Sequence, residues 1–147
     1  MFDKYINGCD ISTLKVNKLP GPPWVNVFQF STFPSSSNNG DRIPAMFIKN
    51  DGHFQVCTAI NLDYNQCKAF PFDLGVWYRM FIKQYKSCGK YWYEIIIDDA
   101  VKLRIENKFP EYFIDVKLFA SDPWLAPMTS EIGQICDETI GGMGAVI

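Results

Sequence analysis

The stretch from Gly89 to Trp124, GKYWYEIIIDDAVKLRIENKFPEYFIDVKLFASDPW, alternates polar and apolar residues at a period of two. A chain with that period puts successive side chains on opposite faces of an extended strand, one for a core and one for water. It reads as three consecutive strands, KYWYEIII (90–97), VKLRIEN (101–107) and YFIDVKLFA (112–120), with Asp98-Asp99-Ala100 as the first turn. In the first, Tyr91, Tyr93, Ile95 and Ile97 share one face. In the second, Val101, Leu103 and Ile105 face inward while Lys102, Arg104 and Glu106 face water. The pattern predicts an all-β, antiparallel sandwich. The segment holds no nucleophile, metal cluster or phosphate loop, so it constrains fold far more than chemistry.

The rest of the chain agrees. WVNVFQFSTF (24–33), RIPAMFIKN (42–50), HFQVCTAIN (53–61) and VWYRMFIKQY (76–85) are further strands. Asn50-Asp51-Gly52 is the best hairpin turn. LDYNQCKAFPFDLG (62–75) reads as a long connection, and a short last strand is placed around 131–136. Seven or eight short strands separated by turns suggest a sandwich or jelly roll. Residues 1–23 end in the breaker LPGPP and read as an N-terminal arm or edge strand. Residues 24–136 read as the β-sandwich domain, and 137–147 as a flexible, frayed tail.

At 147 residues the chain fits one domain, and a chain of this size buries roughly 70% of its unfolded surface. Aromatics make up 16% of it, which suits half-buried pleated surfaces. A net charge of −2 and no basic stripe give no footprint for nucleic acid. No apolar run of about 18 residues offers a membrane span, and MFDKYINGCD lacks the apolar core of a signal peptide. The five cysteines match no zinc spacing. Cys57, in an apolar strand, is expected as a free thiol acting as a small hydrophobe. Cys67 and Cys88, in polar surroundings, are the better candidates for a bridge.

Three segments in order carry a resemblance: GDRIPAMFI (40–48), GKYWYEIIID with the following Asn107 and Pro110, and DVKLFASDPW (115–124). Over residues 24–135 the chain resembles the animal domain labelled farnesoic acid O-methyltransferase-like, which recurs in invertebrate extracellular proteins. The resemblance implies a concanavalin-A-like jelly roll of two antiparallel sheets, and an extracellular or secreted setting. AFPFDLGVWYRMFI followed by YEIIIDDAVKLRIEN also looks like a galectin. A galectin-type sugar site is not expected, because the only histidine is His53 and no H-x-N-P-R segment exists. Compared with the family, the segment before Trp24 is short and the closing strand unusual. Those edges are expected to be rebuilt or supplied by another chain.

Methyl transfer is not expected despite that label. The only glycine cluster, Gly141-Gly142-Met143-Gly144, has no room behind it for the helix of a nucleotide-binding unit. Glu94 and Asp98 share one parity four residues apart, roughly 13 Å and too far for a glycosidase pair. Asp115 or Glu106 on a neighbouring strand would have to complete one. His53 has no Ser or Cys partner for a triad. For ligand binding the candidates are Arg42, Tyr91, Trp92 and Trp124. The planar fork of Arg42 suits carboxylates and sugar hydroxyls, against the plainer role of pinning a strand entry. The aromatic rings suit stacking, against the plainer role of closing the sandwich. Asp63, Asp98 and Asp99 are weak candidates for calcium, against ordinary turn capping.

The expected function is a non-enzymatic recognition or adhesion module for glycan or protein ligands. The alternatives are a structural protein forming homo-oligomers through its sheet edges and, further off, a glycan-acting enzyme.

Overall fold

The computed structural model describes residues 7–32, 38–120, 130–134 and 144–146. The strands are β1 (Asn7–Val16), β2 (Trp24–Ser31), β3 (Ala45–Lys49), β4 (His53–Ile60), β5 (Asp63–Pro71) and β6 (Trp77–Ser87). They continue as β7 (Lys90–Ile97), β8 (Ala100–Asn107), β9 (Tyr112–Ile114), β10 (Lys117–Ala120), β11 (Ser130–Gln134) and β12 (Gly144–Val146). Two five-stranded antiparallel sheets form a β-sandwich. The first runs β11-β1-β6-β7-β8 and the second β10-β2-β3-β4-β5, with β12 and β9 as a separate pair.

The core lies between the sheets. β6 and β7 contribute Met80, Ile82, Tyr93, Ile95 and Ile97. β2 to β4 contribute Val27, Phe28, Met46, Ile48, Phe54 and Val56. A bulge between Asn26 and Phe28 in β2 turns both Val27 and Phe28 inward. Phe54 is stacked on Phe72 at 4.5 Å and meets Tyr78 edge-on at 5.3 Å. At the far end of β8, a polar clamp ties the sheets together. The Asn61 side chain donates to the Glu106 carbonyl (3.0 Å) and accepts from the Lys108 amide (2.7 Å). Asn107 accepts from the Asn61 amide (3.3 Å) and donates to Gln84 (2.9 Å).

Three hairpins turn on two residues that both have positive φ: Asn61-Leu62, Cys88-Gly89 and Asp98-Asp99. This is the turn whose twist matches that of the strands it joins. The three-residue turn at Asn50-Asp51-Gly52 lies where the sequence places it, with Gly52 at φ 83.

Several local expectations change. Residues 7–16 form an inner strand rather than an arm or edge, because Leu14 and Val16 supply core between β6 and β11. Residues 63–71 form the edge strand β5 rather than a connection; only Gln66 and Phe70 of this strand are shielded from water, so it shows little alternation. Residues 112–120 split at Asp115 (φ 56) into β9 and β10, which join different sheets. Val101 faces outward opposite Ile96 because a bulge follows it in β8. Residues 144–146, expected to fray, pair with β9.

Cys57 is not a free thiol. It opposes Cys67 across β4–β5 with Cα atoms 4.0 Å apart, and the two are disulfide-bonded. Cys88 is free and exposed in its turn.

Candidate functional site on the outer face of the first sheet

Strand parity sends Trp77, Arg79, Phe81, Lys83 and Tyr85 of β6 to the face of the first sheet turned away from the core. Trp92 and Glu94 of β7 join them, as do Arg104 and Glu106 of β8. Register then builds two rows across three strands. Lys83, Glu94 and Arg104 form one, and Tyr85, Trp92 and Glu106 form the next.

Glu94 is the hub. It is 1% exposed although it lies on the outer face. Its carboxylate accepts from the Tyr85 hydroxyl at 2.6 Å and from Arg104 Nε, and Lys83 Nζ lies 3.3 Å away. Burial alone would raise its pKa. The hydrogen bonds from Tyr85, Arg104 and Lys83 outweigh burial and hold the carboxyl below its ordinary value. Glu94 is thus a fixed negative charge near neutrality, not a proton donor. Burial first, then the bond to Glu94, pushes the Tyr85 phenol upward.

The aromatics around this hub are tiled with cations. Lys15 lies 4.8 Å over Trp77, Arg79 4.7 Å over Phe81, and Lys83 5.1 Å over Tyr85. Trp92 differs: it is half-buried, and among the described residues no cation covers its ring. Beside it Glu106 is bound by Lys90 at 3.0 Å. The result is an indole plate bordered by fixed charges with planar and rotatable donors.

The residues singled out in the sequence do not converge. Tyr91 neighbours Trp92 on the same strand and so points to the opposite face, with Lys86 5.5 Å over its ring. Arg42 lies on the outer face of the second sheet, bonded to Asn65 and 5.1 Å over Phe47. Trp124 falls outside the described residues. Asp63 sits after the β4–β5 turn and accepts from the Asn65 amide at 3.0 Å. Asp98 and Asp99 lie at the other end of β8. Asp98 accepts from the Arg79 amide at 2.8 Å, and Asp99 faces Arg79 at 3.8 Å. These acids are therefore spread over two sheets and engaged in turns. Among the described residues, no three His, Cys, Asp or Glu side chains group to hold a metal ion. Nor is any helix there long and apolar enough to cross a membrane.

Compared with known proteins, the chain matches no family model, no curated protein and no solved structure.

Proposed function

We propose that the chain is a non-enzymatic recognition module that binds glycan on the outer face of its first sheet. The observation that carries this reading is the half-buried Trp92 ring, over which no described cation lies, beside the Lys83–Glu94–Arg104 row. A sugar offers an apolar ring face and a rim of hydroxyls. An indole plate takes the first, and guanidinium, ammonium and carboxylate groups take the second. The buried hub supports the same reading. Glu94 fixes the donors around it before a ligand arrives, so less side-chain freedom is lost on binding.

The resemblance to the farnesoic acid O-methyltransferase-like domain supports a lectin-type jelly roll in an extracellular setting. The Cys57–Cys67 bridge is compatible with that, since disulfides persist in oxidising compartments. A second reading is assembly through sheet edges. It draws on the edges of β5 and β8, which no other strand joins among the described residues and where Tyr64 and Val101 are exposed.

A glycan array probed with the purified chain, after light scattering fixes its mass, tests both readings. Saturable binding to a related set of sugars is expected. W92A or R104A should weaken it at least about tenfold, the loss of one stacking or charge-assisted contact. A stable oligomer that binds no sugar would sink the glycan reading and leave assembly.

A further inference from the structure

Behind the candidate face, between the two sheets, lies a cavity of about 290 Å³. It opens where edge strands β5 and β8 come alongside, inside the clamp made by Asn61 and Asn107. Ile60, Ile95, Leu103 and Ile105 make its walls aliphatic. Three polar atoms interrupt them: the Tyr93 hydroxyl, Thr58 Oγ1 and Gln66 Oε1. All three are buried and none makes a hydrogen bond of normal geometry, although Thr58 lies close enough to the Tyr93 phenol to oppose its upward shift. Thr58 and Tyr93 are each 2% exposed. Thr58 and Gln66 are cross-strand partners on β4 and β5, and Tyr93 looks at them from β7 on the opposite sheet.

A buried polar atom without a partner costs about 1–3 kcal/mol, and native interiors rarely leave one so. Three facing one space are a strong demand for an occupant. One water would meet that demand but would not fill the space. A buried water needs two to four polar partners, which the trio offers to one molecule. The aliphatic remainder offers none. A cavity of about 150 Å³ lined by such residues stays dry and takes benzene. One about twice as large has room for a molecule of about ten non-hydrogen atoms.

We infer that this cavity is a binding site for a small neutral amphiphile whose hydroxyl meets Tyr93, Thr58 and Gln66 while its hydrocarbon lies along Ile95, Leu103 and Ile105. A hydroxyl matches the trio atom by atom. It accepts from the Tyr93 phenol and from the Thr58 hydroxyl on its two lone pairs, and donates its one proton to Gln66 Oε1. Burial pushes the Tyr93 phenol upward, Thr58 opposing it, so the phenol is a proton donor at all physiological pH values. None of the three groups carries charge, so a buried carboxylate would find no compensation beside them. Lys68 stands at the rim, outside the trio. The site is separate from the proposed glycan face, and each stands or falls without the other.

The test titrates the full chain with n-octanol, n-octane and octanoate, read by methyl NMR of Ile60, Ile95, Leu103 and Ile105. Saturable shifts with octanol are expected, with octane binding roughly tenfold more weakly for want of the hydroxyl. Y93F and T58V keep the side-chain shape and should each weaken octanol severalfold while leaving octane unchanged. Two variants guard against one failing to fold, and unchanged glycan binding in both separates this site from the outer face. No saturable octanol shift would mean that the cavity holds water alone, and octanol affinity unchanged from the parent in both variants would mean that the trio does not recognise the hydroxyl. Octanoate binding more tightly than octanol would overturn the neutral class in favour of a carboxylate held by Lys68.

Discussion

Glu94 shows how one side chain sets the chemistry of a face. It is buried on the wet side of a sheet, and its charge survives because Tyr85, Arg104 and Lys83 surround it. Since its folded pKa lies below the ordinary glutamate value, its contribution is complete above that ordinary value and fades as pH falls through the lowered one. E94Q should therefore cost about 1–3 kcal/mol at neutral pH, and the gap to the parent should narrow in acid. Urea midpoints at neutral pH and at about pH 3 check this; a gap that stays constant would show that the carboxylate charge contributes nothing. Both partner cations are partly solvated, so added salt should trim the effect. The sequence already places Arg104 and Glu106 on a wet face, and Glu94 on the face opposite Tyr93 and Ile95. It does not say which opposes which. Counting back from the Asp98-Asp99 turn without a bulge would set inward Ile95 against outward Lys102. The conflict disappears if Lys102 is an extra residue, and that bulge pairs Glu94 with Arg104. Parity around a tight turn therefore holds the clue to the hub, for a reader who tracks both strands.

Among elements, the hairpins with familiar turn chemistry are legible and the others are not. Asn50-Asp51-Gly52 and Asp98-Asp99 announce themselves, because Asn, Asp and Gly tolerate positive φ. The β4–β5 turn uses Asn61-Leu62, and Leu62 holds φ 66 with a branched side chain 60% exposed. Nothing in the letters N-L advertises a turn, so β5 reads as a connection and Cys67 loses its obvious partner. Once the hairpin exists, Cys57 and Cys67 are facing residues and their bridge follows. A loop of that length stabilises by up to about 3 kcal/mol, less here because the hairpin already holds its strands together. Leu62 is held in the left-handed region at some cost. L62G should raise stability by about 0.5–1 kcal/mol once its looser unfolded state is set against the relief. Thermal melts of the two proteins decide it; a lower melting temperature for L62G would mean that the leucine side chain makes packing contacts worth more than its backbone strain.

For the whole molecule, period-two patterning suffices for two layers but not for their order. Alternation says that a strand has a core face, and it is silent on which neighbour lies beside it. Thus β1, with few large apolar residues, reads as an arm. It is in fact held on one side by β6 and on the other by β11. In the same way β2 is bordered by β3 and by β10, from much later in the chain. Both sheets therefore close with strands contributed by the last third of the sequence. This has a consequence during synthesis, when the protein emerges from the ribosome from its N-terminus. With residues 1–107 outside the tunnel, the β3–β5 and β6–β8 hairpins can form, yet one edge of β1 and one of β2 remain bare. Such long-range pairing is slow to form. Nascent chains arrested there should be cut readily by protease, and resistance should appear only after Ser130–Gln134 has cleared the tunnel. Full resistance in the shorter arrested chain would show that β10 and β11 are dispensable. Until that last edge arrives, a cell making this protein carries it as a half-built sandwich with two open seams, a natural client for ribosome-bound chaperones.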